Sequence, residues 1–221
     1  MSWRLLSEVP AEDVRILLSV ARRRRFERGE VVFHRDDPGD SVHLIVFGRF
    51  AVRVMTPLGE MVWIAVRGPG ENFGEMALVE DDARRSATVS ALEDAETFAV
   101  RKPEFEGLRK RYPGVDRVLI AFLAGEVRML DERLLEALYL PADRRLLRRL
   151  HELSEVYRRP DGSAVVPLTQ EELAEFAGAS RATVNRVLRE EQARGTLELR
   201  RGKTRILDAD ELARRVDKRS T

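Results

Sequence analysis

The sequence predicts an α+β protein: an N-terminal barrel or sandwich of short strands, read as a β-roll, a long coiled-coil dimer helix, and a C-terminal winged helix-turn-helix. Three observations lead there. Short β-rich segments alternate with turn signals from Phe26 to Val100; apolar residues recur at 3-4-3-4-3 spacing between Tyr112 and Pro141; and a capping box, a turn glycine and a second amphipathic segment follow Thr169. The chain's 221 residues, 43% of them hydrophobic, suffice for two ordinary domains, expected at 1–140 and 141–221.

Taken in order, residues 5 to 25 read as short helices, with Leu5, Leu6, Val9, Val14, Leu17, Leu18 and Ala21 at helical spacings. The run Arg22 to Arg25 lies between a helix and a strand and is followed by Glu27 and Glu30, so it is read as a solvated face. Strands are expected at 30–33, 42–46, 50–55, 60–66, 87–92 and 96–100, punctuated by Pro38-Gly39-Asp40, Gly48, Pro57-Leu58-Gly59 and Gly68-Pro69-Gly70.

One helical turn, Gly74 to Leu78, interrupts this pattern. Phe73-Gly74-Glu75-Met76-Ala77-Leu78 followed by Arg85-Ser86-Ala87-Thr88 sets a glycine-led helix start beside an arginine-serine pair. Backbone N–H groups and a forked guanidinium suit an anion such as a phosphate. Glu75 cannot ligate that anion, but its carboxylate suits a neighbouring hydroxyl, so the combination reads as sugar-phosphate recognition; the competing reading is a surface turn with a salt bridge.

From Tyr112 to Pro141 the pattern is one long helix of about 112–140. Ile120, Leu123, Val127, Leu130, Leu134 and Ala137 form a seam for a symmetric dimer, and Leu119, Phe122 and Met129 widen it toward the β-roll. Pro141 ends the helix, making Leu140 to Asp143 a hinge.

Asp143 to Val156 is a further amphipathic helix, and Ala164 to Pro167 a strand after the turn Pro160-Asp161-Gly162. Thr169-Gln170-Glu171-Glu172 is a capping box, Leu173, Ala174 and Ala177 an inner face, Gly178 a turn, and Ser180 the cap of a second helix to about Arg194, closed by Gly195. Val184, Val187 and Leu188 point inward, leaving Ser180, Arg181, Ala182, Asn185, Arg186 and Arg189 for a DNA major groove. Arg181 and Arg186 are the expected base readers and Arg189 a phosphate contact. Strands at 197–200 and 204–207, joined by Arg201-Gly202-Lys203, form a basic wing.

Charge agrees with this division: residues 1 to 141 carry 21 Lys/Arg against 24 Asp/Glu, and residues 142 to 221 carry 18 against 14. With no cysteine the chain has no disulfide, cysteine-ligated zinc or all-cysteine iron–sulfur cluster. His34, His43 and His151 are widely separated, so each is read as a surface or packing residue and no metal site is expected. The absence of a bilayer-length apolar run and of a signal layout in Met-Ser-Trp-Arg-Leu-Leu-Ser-Glu implies a cytoplasmic chain. Glu75 has no nucleophile, metal cluster or second positioned acid beside it, so no enzyme is expected.

These residues resemble the cyclic AMP receptor protein and fumarate-nitrate reduction regulator family of bacterial transcription factors over nearly the whole chain. The family's phosphate-binding cassette matches Phe73, Gly74, Glu75, Met76, Ala77, Leu78, Arg85, Ser86 and Ala87, and its recognition helix matches Gly178-Ala179-Ser180-Arg181 and Thr183-Val184-Asn185-Arg186. The resemblance implies a cyclic-nucleotide-binding sensor, a β-roll of the double-stranded β-helix type, with the dimer helix, Gly74 and Ser86 on a cyclic phosphate, Arg85 on its charge, and Glu75 on the ribose 2′-hydroxyl. It also implies an effector site completed by Met76, Ala77 and Ala87, with Leu130 and Asp131 where cyclic AMP receptors place adenine-binding hydroxyls. A DNA surface is implied at Thr169, Ser180, Arg181, Ala182, Thr183, Asn185, Arg186, Arg189 and Lys203. The implied partners are a palindromic double-stranded DNA operator, a second copy of the chain and RNA polymerase; the implied effector is a cyclic nucleotide, with cyclic AMP in view and no other cofactor.

Three positions depart from the pattern. Leu130 offers no hydrogen bond; Ala182 stands where many cyclic AMP receptors have a glutamate that accepts from cytosine; and Glu126 stands where they have an arginine facing the cassette glutamate. Two carboxylates, Glu75 and Glu126, would then approach each other unless a cation, a proton or a different ligand intervenes. The expectation is a homodimeric, sequence-specific transcriptional regulator controlled by a small effector. The alternative is an effector-independent regulator of the same fold, controlled by its abundance.

Overall fold

A computed structural model describes residues 2–80 and 82–217. Their contacts divide into two compact units: Met1–Val54 with Ile64–Leu130, and Met55–Trp63 with Asp131–Thr221.

The first unit opens with a 3-10 turn at Arg4–Leu6 and helix α1 (Ala11–Val20). Eight strands follow: β1 (Arg22–Phe26), β2 (Val31–Phe33), β3 (Ser41–Phe47), β4 (Phe50–Met55), β5 (Met61–Arg67), β6 (Asn72–Phe73), β7 (Thr88–Ala91) and β8 (Ala95–Arg101). They form two four-stranded sheets, ordered β1-β8-β3-β6 and β2-β7-β4-β5. The alternation of side chains along β3 makes two cores. Val42 and Leu44 join Trp3, Leu5, Leu6, Leu17, Phe105 and Val115 on the helix side. Ile45 joins Phe26, Phe50, Phe73 and Val89 between the sheets.

Two helices complete this unit's sequence. Helix α2 (Lys102–Arg111) has proline in its first turn and buries Phe105 and Leu108. Helix α3 (Gly114–Tyr139) is the expected long helix.

Several details differ from the sequence expectation. Arg22 to Arg25 is itself the edge strand β1, not a face between elements: Arg23 and Arg25 both reach Glu96 across the ladder, at 2.5 and 3.0 Å. A charged edge strand of this kind resists pairing with a second sheet. Strand β6 and helix α2 add to the elements expected. The contacts divide at Leu130/Asp131, within α3, rather than at 140/141. A partly buried charge cluster ties the end of α3 to the helix that follows: Arg148 meets Glu136 at 2.7 Å, Arg149 also pairs with Glu136, and Arg133 meets Glu152 at 3.1 Å.

In the second unit α4 (Ala142–Val156) buries Leu146, Leu147, Leu150 and Leu153. Strand β9 (Ala164–Val166), α5 (Gln170–Ala177), α6 (Arg181–Ala193), β10 (Leu197–Arg200), β11 (Lys203–Ile206) and α7 (Ala209–Asp217) follow. The sheet order β10-β11-β9, antiparallel throughout, makes the wing and its backing strand. Helix α7, not anticipated from the sequence, closes this core with Leu212 and Val216. No helix among the described residues is long and apolar enough to cross a membrane.

Candidate effector cavity and nucleic-acid interface

In the first unit Gly74 and Arg85 fix each other. Gly74 has φ 81°, and a Cβ there would come within 2.6 Å of Arg85 Nη1, so only glycine fits. Arg85 Nη1 donates to the carbonyls of Ser41 (2.7 Å) and Gly74 (3.2 Å), and Nη2 donates to Ser41 Oγ (3.2 Å). Its guanidinium lies 4.2 Å from the Phe33 ring centre. Arg85 is 6% exposed, yet its Nε has no hydrogen-bond partner. A permanently charged group among the lining residues of a cavity fits an anion.

The cavity is about 300 Å³, at the small end of ligand pockets of ~300–1,000 Å³. Gly74, Glu75, Met76, Ala77, Arg85, Ser86 and Ala87 all line it, as the sequence groups them. Val52, Val54, Ile64, Ala65, Leu123 and Leu130 supply an apolar wall. Leu130 therefore stands where expected, whereas Asp131 is exposed and outside the lining, because Leu130 is the last residue of α3 to reach it.

The expected helical turn at Gly74 is a single 3-10 turn, Glu75–Leu78, whose dipole is small.

Glu75 accepts from Asn72 Nδ2 at 3.3 Å. Burial pushes its carboxyl above the ordinary value; Arg67 opposes that rise and Glu126 adds to it. Glu75 and Glu126 both line the cavity, and a cation intervenes, one of the three resolutions expected, although the sequence did not single out Arg67 as that cation. Arg67, on β5, pairs with Glu126 and also lies 3.5 Å from Glu71. The available signal was an arginine closing an apolar strand on the same alternating face as Trp63 and Ala65.

In the second unit Thr169 and Glu172 form the expected reciprocal capping box, with N–H to oxygen distances of 3.2 and 2.7 Å. Gly178 has φ 57°, and Ser180 Oγ accepts from the Thr183 N–H at 3.1 Å. Thr169 and Ser180 are thus occupied as caps. Arg145, which sequence reasoning missed, clamps this turn: its guanidinium donates to the carbonyls of Ala177 (3.1 Å), Gly178 (2.6 Å) and Leu140 (2.8 Å).

Val184, Val187 and Leu188 are buried, and Arg181, Ala182, Arg186, Arg189 and Lys203 are exposed. Three of the polar side chains on this face hold internal partners. Arg181 pairs with Glu171, Asn185 Nδ2 donates to Gln170 Oε1 at 3.2 Å, and Arg186 meets Glu190 at 2.8 Å.

A β-roll with a small cavity and a winged helix-turn-helix define a two-domain type of DNA-binding regulator. A cyclic nucleotide-binding domain model matches residues 23–112 and a Crp-like helix-turn-helix domain model matches residues 144–215. The cyclic AMP receptor protein of Thermus thermophilus is 33% identical over 198 residues, 90% of this chain and 89% of that protein. A CRP-like cAMP-activated global transcriptional regulator of Mycobacterium tuberculosis is 28% identical over 194 residues, 86% of each chain. The structure of FixK2 from Bradyrhizobium japonicum superposes with a TM-score of 0.78 at 20% identity, covering 91% of this chain and all of that one, which speaks for the fold alone. The chain belongs to the cyclic AMP receptor protein/fumarate-nitrate reduction regulator family of transcriptional regulators, which bind DNA and are not enzymes.

Proposed function

We propose that the protein is a homodimeric, sequence-specific DNA-binding regulator whose operator affinity is set by a cyclic nucleotide held in the β-roll cavity. The observation that carries this reading is that buried Arg85, a permanent cation, and Glu75, an acceptor suited to a ribose hydroxyl, line one small cavity. Gly74, Ser86 and the neighbouring N–H groups would complete the phosphate site. Met76, Ala77, Ala87 and Leu130 would enclose the rest, and Asp131 would act from its exposed position on α3.

The apolar wall of Val52, Val54, Ile64, Leu123 and Leu130 offers a base packing surface with few hydrogen bonds, so phosphate and ribose would dominate recognition. Cyclic AMP is the first candidate, since both named relatives carry it in their names. In DNA recognition Arg181 and Arg186 would read bases, with Thr169, Ser180, Ala182, Thr183 and Asn185 at the groove and Arg189 and Lys203 on phosphates. RNA polymerase would be the further partner of such a transcriptional regulator.

Isothermal titration of the apo dimer with cyclic AMP and cyclic GMP tests the effector. Arg85→Ala should weaken binding by about 2 kcal/mol or more, about thirtyfold. Ser86→Ala, at an exposed position, provides a second variant that leaves the Arg85 anchors in place. Absence of heat with either nucleotide would sink this reading.

A second reading has its own observation. Both terminal nitrogens of Arg85 are already engaged, and its guanidinium stacks on Phe33, so the cassette closes without an anion. Under that reading the protein binds DNA constitutively and acts through its abundance; a footprint unchanged by any nucleotide would select it.

A further inference from the structure

Arg67 lies where three carboxylates converge. It pairs with Glu126 on α3, lies 3.5 Å from Glu71, and lowers the pKa of Glu75, which burial and Glu126 raise. Its side chain is only 15% exposed, and its guanidinium stands 5.9 Å from the ring centre of Phe122, one turn before Glu126 on the same helix. Glu71 is itself fixed, its Oε2 accepting from the Gly68 N–H at 2.6 Å. Arg67 and Glu126 both line the cavity beside Glu75.

Without Arg67, two partly buried carboxylates would face one cavity, and the cheapest relief is protonation or displacement of one of them. A carboxylate held ionised and fixed makes a charge-assisted bond to a hydroxyl; a protonated or displaced one does not make that bond in the same geometry.

We propose that Arg67 is a positioning residue for the effector's sugar: by pairing with Glu126 it holds that carboxylate away from Glu75 and leaves Glu75 in place to accept from a ribose 2′-hydroxyl. This rests on the cyclic-nucleotide reading above. Discrimination between ribose and deoxyribose then depends on a residue that acts through Glu75. Because the Arg67–Glu126 pair joins β5 to α3, filling the sugar position also bears directly on the long helix.

The test is titration of the full-length protein with cyclic AMP and with 2′-deoxy cyclic AMP, after circular dichroism has shown each variant folded. The wild type should prefer the ribonucleotide by about ten- to a hundredfold, the range of one hydrogen bond to a charged group. Arg67→Gln should reduce that preference to about threefold or less, Arg67→Lys should keep most of it, and Glu126→Gln should keep it whole. The neutral pair, Arg67→Gln with Glu126→Gln, removes both opposing charges and should recover the preference. It also serves if Arg67→Gln alone does not fold.

Wild type that binds neither nucleotide overturns the effector reading and this proposal together. Wild type that discriminates while folded Arg67→Gln discriminates equally overturns the proposal alone. A neutral pair that folds, binds and lacks the preference also overturns it, since Arg67 would then act on the ligand itself and not through Glu126.

Discussion

His43 illustrates how single side chains divide between structure and function. It was expected as a packing or surface residue, and it is a packing residue of an unusual kind. It is 2% exposed, stacked on Phe73 at 4.9 Å between ring centres, with Nδ1 against Thr97 Oγ1 at 3.0 Å. Burial first, and the charges of Arg85 and Arg24 after it, lower its pKa to about 3. The folded ring stays neutral while an unfolded His43 charges below about 6.5. The unfolded state therefore binds more protons between about pH 6.5 and pH 3, and stability falls as pH falls through that window. The loss is bounded at about 4–5 kcal/mol by the size of the shift. Urea unfolding of wild type and His43→Phe at a series of pH values checks this: the variant should lose less stability between pH 6.5 and pH 4, whatever its stability at neutral pH. Equal slopes would show that other groups dominate acid unfolding. Glu75 has the opposite sign. Its raised pKa means that its ionised form costs stability, so the fold at this cavity is strained toward the charge that a ribose hydroxyl would use.

Among the elements, those carried by local chemistry were legible and those carried by distant contacts were not. The capping box at Thr169, the left-handed Gly178 and the Ser180 cap each satisfy backbone groups within a few residues, so their spacing is visible in the chain. The edge strand β1 was hidden because four consecutive arginines carry no apolar alternation; Glu96, more than seventy residues away, makes it a strand. Arg67 and Arg145 were hidden for the same reason: each acts on groups remote in sequence, Glu126 for one and the carbonyls of Leu140, Ala177 and Gly178 for the other. The recognition helix α6 yields a prediction at this scale. Arg181 must leave Glu171 to reach a base, and an exposed pair of this kind is worth at most about 1 kcal/mol. Glu171→Gln should therefore raise operator affinity about two- to fivefold in fluorescence anisotropy. Arg181→Ala should cost about 1–3 kcal/mol at one base pair, and Lys203→Ala should weaken all sequences and reduce the salt slope by about one. If Glu171→Gln lowers affinity instead, Glu171 orients Arg181 for the base rather than competing with it.

At the scale of the whole molecule, the proposed homodimer needs a surface on which two copies can associate, and α3 offers one. Of the expected seam, Leu123 is partly buried in the sensor core, while Ile120, Val127, Leu130 and Leu134 are 67%, 58%, 44% and 59% exposed. Leu135, Leu138 and Tyr139 extend the apolar surface to the helix end. A contiguous apolar face on a long helix is unusual in a monomer. Each leucine buried in a partner's seam contributes about 1.5–3 kcal/mol, so a few such pairs sustain a dimer. Leu130 belongs to both features, since it lines the effector cavity and stands on the exposed face. On the proposed reading, a ligand that moved Leu130 would alter the seam directly. Leu134→Asp separates the two roles, because Leu134 lies on the seam and outside the cavity lining. Light scattering should show a monomer that still binds the nucleotide with near wild-type affinity per chain. Two recognition helices must reach successive major grooves about 34 Å apart, so loss of the second copy removes the effective concentration that joins two half-sites. Affinity for a palindromic operator should then fall by about 10²- to 10⁴-fold, while affinity for an isolated half-site stays within a few-fold. A Leu134→Asp protein that remains dimeric would place the association surface elsewhere. One that is monomeric yet binds the palindrome with undiminished affinity would show that this regulator does not use paired half-sites.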